Sequence, residues 1–222
     1  MSLSSFLMPG GASGMTSFFS IEYMFVFLPI AILLYWLSPQ KIRRYVLLFE
    51  SCAFFWLISG KLIAYLVLSA VLIYGFGLWI EKVNEKKKEA IRDLDRDEKK
   101  KIKKQFAARL RLVFALAAVI QIGGLLVLKY SAFAAGNINS LLALMNVGVR
   151  VSIPKFIMPI GISFFTLQAV SYLVDVYRGK IQADKNFLRV FLWLSFFPQI
   201  VEGPICRYSQ TAEQLWRAER IK

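Results

Sequence analysis

Two apolar stretches of this chain carry side chains that hydrocarbon would not tolerate without a purpose. The first holds Gln168, Tyr172, Asp175 and Arg178, and the second holds Gln199, Glu202 and Arg207. A polar group at hydrocarbon depth costs free energy that a ligand, a pathway or a partner must offset. Gln168, Ser171, Tyr172, Asp175 and Arg178 recur at spacings of three and four, so they share one helical face. Asp175 and Arg178, at i,i+3, are spaced for an ion pair. Such a face could equally be helix–helix adhesive with a boundary pair. Gln199, Glu202 and Arg207 are interleaved with Pro198, Gly203 and Pro204. Backbone broken in this way is tolerated at membrane depth only where protein or a water-filled cavity covers it. The competing reading is a simple exit turn at the surface. All seven are expected to line a tunnel or to support one, and none is assigned a catalytic role. Glu50, inside a further apolar stretch, is a weaker tunnel candidate, and Glu22 lies near enough to a helix end to reach water.

The composition removes most soluble chemistries. The 222 residues include no histidine, so no His-based triad, general-base imidazole or His zinc site exists. No Walker loop and no G-x-S-x-G elbow is present. Cys52 and Cys206 lack C-x-x-C spacing and read as packing residues, with no metal and no disulfide expected.

The elements that must position these residues are membrane helices. The chain is 57% hydrophobic, above the 45–50% or so of a soluble domain, and the surplus is gathered in blocks with charges between them. The fold expected is all-α, a polytopic transmembrane bundle with a re-entrant segment near the C-terminus. A polar, uncharged segment covers 1–17, and Met15 is an alternative start. Three spans follow within 18–80, at 18–37 (with Pro29 as a kink), 45–59 and 62–80. Residues 81–111 lack Gly and Pro and read as one charged helix. It is solvated or, on a sharper reading, lies against lipid. Transmembrane and re-entrant segments resume over 112–222, with spans at 112–128 and 156–174. The last block, 190–201, is too short to cross and fits a re-entrant or interfacial segment.

The chain carries 28 Lys and Arg against 14 Asp and Glu. Because the basic residues sit in loops beside apolar blocks, they read as orientation signals and not as a nucleic-acid interface. Residues 81–111 alone hold thirteen of them. That asymmetry predicts a multi-pass protein of the plasma membrane with 81–111 cytoplasmic and the N-terminus outside.

Three segments carry a family resemblance. Residues 158–179, MPIGISFFTLQAVSYLVDVYRG, and 196–208, FFPQIVEGPICRY, resemble two successive hallmark stretches of the membrane-bound O-acyltransferases. Residues 18–29, FFSIEYMFVFLP, resemble the opening of the branch that acetylates alginate. The D-alanyl transfer proteins of teichoic acid synthesis form a neighbouring branch. The resemblance implies a helix bundle around a tunnel. It also implies transfer of an acyl group, here acetyl, from a cytoplasmic-side donor to a hydroxyl of an extracytoplasmic polysaccharide. The donor would be acetyl-CoA or an acyl-carrier protein, used as a substrate, with no bound cofactor. Partners implied are the bilayer, an acyl-donor protein and polysaccharide-modification proteins. The family's general base is a histidine near mid-membrane, suited to the task by its pKa.

This sequence departs from the family there, having no histidine. The expectation is therefore an N-terminal portion of such an enzyme, from a truncated or split gene and inactive alone. The downstream DNA is the observation that decides between that and a non-catalytic membrane scaffold or subunit. A transporter with a broken-helix site would need inverted halves, which the sequence does not display.

Overall fold

The computed structural model describes residues 21–92, 95–145, 149–152, 158–200 and 206–218. Among the described residues every regular element is helical. Helix α1 spans Tyr23–Leu37. Its first turn, Tyr23–Phe27, is π-helical and is closed by the Leu28 N–H donating to the Tyr23 carbonyl. Pro29, two residues on, can neither donate nor fit against the carbonyl four residues back. A π turn, wider than an α turn, lies just ahead of it, and the helix runs on through Pro29 to Leu37.

Helix α2, Arg43–Ser59, ends at Gly60, whose φ of 54° and ψ of −128° suit a residue without Cβ. A short 3-10 turn, Gly60–Leu62, leads into α3, Ile63–Ala90. Helix α4, Arg96–Leu144, is 49 residues long, or roughly 74 Å at 1.5 Å per residue. Helix α5 covers Ile162–Tyr177, α6 Phe187–Ser195 and α7 Tyr208–Arg217. Asn186 caps α6, its side-chain oxygen accepting from the Leu188 and Arg189 N–H groups.

Two expectations are redrawn by these boundaries. Residues 81–111 are not one helix: 81–90 extend α3, a turn falls at Ile91 and Arg92, and 96–111 open α4. The span ending at Leu128 also does not stop there, because α4 continues unbroken to Leu144. Asn139 near its end holds the following chain, donating to the Val151 carbonyl at 2.8 Å and accepting from the Val151 N–H at 2.7 Å.

Five crossings are expected from hydropathy. By length and composition two helical stretches suffice to cross a membrane, Arg43–Ala90 and Asp97–Leu144, while Tyr23–Leu37 and Ile162–Tyr177 are shorter apolar helices. The surface is apolar to match. Phe25 is 74% exposed, Leu112 66% and Val119 67%. Apolar surface on this scale is not left to water by a soluble monomer, and it points to a membrane location.

The core lies between α3, α5 and α6, with α2 and α4 closing its sides. Gly77 of α3 admits α5: a Cβ there would sit 3.1 Å from a Tyr172 ring carbon. One polar tie crosses α3 and α4. Ser69 Oγ donates to Gln121 Oε1, and Gln121 Nε2 donates back to the Ser69 carbonyl, each at 3.0 Å.

Candidate functional site

The site is organised by a helix that stops short. After nine residues α6 ends, and the chain turns through 196–200, where the Gln199 and Ile200 N–H groups both donate to the Phe196 carbonyl. Pro198 prevents continuation, since it has no N–H and disfavours helical geometry at Phe197 before it. Three contacts hold the turn. The Phe197 N–H donates to Ser51 Oγ of α2 at 3.3 Å. The Phe197 ring packs edge-on to Phe27 of α1, with centroids 5.4 Å apart. Gly161, at the head of α5, lies so close to Ile200 that a Cβ would fall 2.1 Å from the Ile200 carbonyl oxygen.

A cavity of about 440 Å³ opens beneath this turn. Ala31 and Tyr35 of α1, Leu47 and Glu50 of α2, residues 196–199, and Gln214 and Leu215 of α7 line it. Its walls are mostly apolar, but two of the residues that line it each carry a buried acceptor without a partner. Glu50 is 4% exposed, and its Oε1 has no hydrogen-bond partner. Gln199 Oε1 is equally buried and equally unpartnered, although Gln199 Nε2 donates to Cys206 Sγ at 3.4 Å. A buried acceptor left unmade is costly. Two on one cavity suit an occupant with an apolar body and hydroxyl or N–H donors.

At the charged end of α6 sits a second polar knot. Asp184 Oδ1 accepts from the Asn186 N–H at 2.7 Å, and its Oδ2 accepts from the Tyr208 hydroxyl and lies 3.2 Å from Arg189 Nε. The Asp184 N–H donates to the Tyr172 hydroxyl at 3.0 Å. Tyr172, Trp193 and Tyr208 form one aromatic cluster, with centroids 4.8–6.0 Å apart. Asp184 thus ties α5, the head of α6 and the head of α7, returning the chain to the end of the bundle it left at α6. Burial first, and then the hydrogen bond to Asp184, push the Tyr208 hydroxyl above the ordinary tyrosine value, so it stays a donor.

The seven sequence candidates separate accordingly. Gln199 lines the cavity. Gln168 is 1% exposed and donates from Nε2 to the Trp193 carbonyl at 3.2 Å, joining α5 to α6. Tyr172 belongs to the Asp184 knot, and Asp175 is buried on the same face of α5. None of these three touches the cavity. Arg178 is exposed past the end of α5, on a cleft with Lys87 and Lys88. The ion pair expected between Asp175 and Arg178 does not form; the described ion pairs are Arg189–Asp184 and Arg217–Glu213. Arg178 keeps helical backbone, its N–H donating to the Val174 carbonyl at 2.9 Å, but its side chain is exposed while Asp175 is buried. Arg207 is exposed and precedes α7, where its carbonyl accepts from Thr211 Oγ1 at 3.3 Å. Glu202 lies outside the described residues, as do 1–17 and Met15. Among the described residues no group of side chains is placed to hold a metal ion.

Two residues were underweighted by sequence reasoning. Glu50 offered a signal, being one carboxylate within an apolar stretch. Asp184 offered only the Asp-x-Asn pattern ahead of an apolar block, a local signal for a helix start.

Comparison with known proteins extends the picture. A probable alginate O-acetylase, AlgI, of Pseudomonas syringae pv. tomato is 29% identical over 198 residues, covering 89% of this chain and 34% of that protein. The corresponding protein of Pseudomonas aeruginosa is 28% identical over 200 residues, covering 89% and 34%. A peptidoglycan O-acetyltransferase of Helicobacter pylori is 30% identical over 130 residues, covering 48% and 23%. The chain therefore spans about a third of the length of the alginate O-acetylases it matches. No family model matches it, and no solved structure does. Through nearly nine tenths of its residues the chain is similar to the alginate O-acetylase branch of the membrane-bound O-acyltransferases.

Proposed function

We propose that this chain is part of a membrane O-acyltransferase that moves an acetyl group from a cytoplasmic-side donor to a hydroxyl of an extracytoplasmic polysaccharide. The observation that carries the reading is the similarity to alginate O-acetylases along 89% of the chain. The cavity supports the reading. Its apolar walls suit an acyl chain, and the free acceptors of Glu50 and Gln199 suit the N–H or hydroxyl groups of whatever carries that acyl group or receives it. The Ser51, Gly161 and Asp184 contacts fix the broken segment that forms one wall. These residues bind and position; none removes the acceptor proton. With no histidine in the sequence, the 222 residues supply no imidazole for that step and transfer no acetyl group by themselves. The bundle is multi-pass in the plasma membrane, with the charged ends of α3 and α4 cytoplasmic and the block 190–201 re-entrant.

The test is a hybrid in which residues 18–218 replace the matching third of the Pseudomonas aeruginosa alginate O-acetylase. The hybrid is expected to restore alginate acetylation in cells lacking that protein, and the Glu50→Leu hybrid to lose most of it. A well-expressed, membrane-inserted hybrid with no activity would overturn the reading. It would favour a non-catalytic membrane subunit, to which the missing histidine also points. Acetyl transfer by the purified 222-residue chain would refute the proposed inactivity.

A further inference from the structure

We propose that the groove between the charged ends of α3 and α4 is a binding site for the phosphate headgroup of an anionic phospholipid. The groove holds about 400 Å³. Lys82 and Lys86 reach it from α3 and Arg109 from α4; Val83 and Phe106 form its floor, and Trp79 stands at its mouth. No acidic side chain lines it. Trp79, Lys82 and Lys86 stand at i, i+3 and i+7 and so project from one side of α3. The three cations are exposed, Val83 is 4% exposed, and Trp79 is 43% exposed and stacked on Phe76.

Depth decides which ligand this suits. The charge-free part of α3 ends at Ile80, and that of α4 begins at Leu112. Lys82 and Arg109 therefore sit at one level, each within a helical turn of where the charge-free part of its helix ends. Phosphates of a bilayer lie at that level, and a tryptophan commonly marks it. The cationic rim answers a phosphate, while the apolar floor and Trp79 answer the glycerol and upper acyl chain. Basic pockets between membrane helices on the cytoplasmic side recognise anionic headgroups in this way. The mixture of apolar floor and cationic rim favours a lipid over free phosphate, which offers nothing to Val83 or Phe106. The site stands apart from acyl transfer and needs only a membrane location.

Native mass spectrometry of the purified full chain tests it, with phosphatidylglycerol, phosphatidylcholine and inorganic pyrophosphate as probes. The expected result is one phosphatidylglycerol retained per chain, with phosphatidylcholine and pyrophosphate each at least tenfold weaker. Lys82→Gln alone should weaken retention about fivefold, and Lys82→Gln/Lys86→Gln/Arg109→Gln on the order of a hundredfold. A control, Lys100→Gln/Lys103→Gln/Lys104→Gln, removes the same charge outside the groove and should leave retention within twofold. Equal losses in the two triple variants would reduce the effect to net charge and overturn the site. Pyrophosphate binding as tightly as the lipid would overturn the lipid assignment.

Discussion

The head of α5 and the turn after α6 meet at Gly161 and Ile200, where an added Cβ would fall 2.1 Å from the Ile200 carbonyl oxygen. Gly161 also has a φ of 69°. Two independent demands, a left-handed backbone and a close approach, therefore fall on one residue. The consequence is that the broken segment is set against α5 by backbone and not by side chains, which fixes the roof of the cavity.

Gly161→Ala is expected to lower stability by about 2–4 kcal/mol, combining left-handed strain with the clash. Gly179 supplies the comparison. It has a φ of 68° but nothing within 4 Å of an added Cβ. Gly179→Ala should cost only about 1 kcal/mol, from strain alone. Thermal melts of both variants in detergent read the difference, and equal losses would remove the close approach from the account.

Glu50 should behave as a site residue and not as a structural one. Its Oε1 is buried without a partner, so Glu50→Gln removes a poorly solvated charge at nearly constant shape. The variant is expected to melt at or above the wild-type temperature, by up to about 2 kcal/mol, while reducing acetylation in the hybrid enzyme. A clear loss of stability would mean that the carboxylate is holding the fold together.

The Asp184–Tyr208 contact is measurable by a double-mutant cycle. Tyr208→Phe leaves the carboxylate its backbone and Arg189 partners, so a loss of about 1.5–3 kcal/mol is expected for a hydrogen bond to a charged group. Asp184→Asn should cost a similar amount, and the double variant less than the sum. Full additivity in detergent melts would show that the two residues are not coupled.

Ser69 and Gln121 offer a test of hydrocarbon surroundings. Gln121→Leu breaks both of their hydrogen bonds. Interhelical pairs in membranes average about 0.6 kcal/mol and reach about 1.7, and a loss in that range is expected. A loss above about 3 kcal/mol in unfolding titrations would contradict it.

Orientation is tested by topology reporters. A reporter active only outside the cell should be silent when inserted at 91–95, between α3 and α4, and active when placed next to Lys61. The opposite pattern would reverse the assignment drawn from basic residues.

The sequence by itself determined which parts of the chain avoid water. Hydropathy is a local property, so the apolar runs of α3 and α4 were legible, whereas the block read as 190–201 is helical only to Ser195. The similarity carried by 158–179 and 196–208 was legible too. Helix ends set by weaker signals were not. The turn at Ile91 lies in a stretch of high helix propensity throughout, and only the packing of α4 back along α3 breaks it.

Tertiary structure alone decided which polar residues meet. Gln168, Tyr172 and Asp175 share a face, as their spacing requires, but periodicity cannot say what that face looks upon. It looks upon Trp193 and Asp184, not upon a cavity. Gln199 shares its cavity with Glu50, and the two come to line one space because Ser51, Phe27 and Gly161 together hold the turn after α6. Contacts between residues so distant along the chain depend on backbone approach and side-chain packing in three dimensions, and no one-dimensional pattern encodes them.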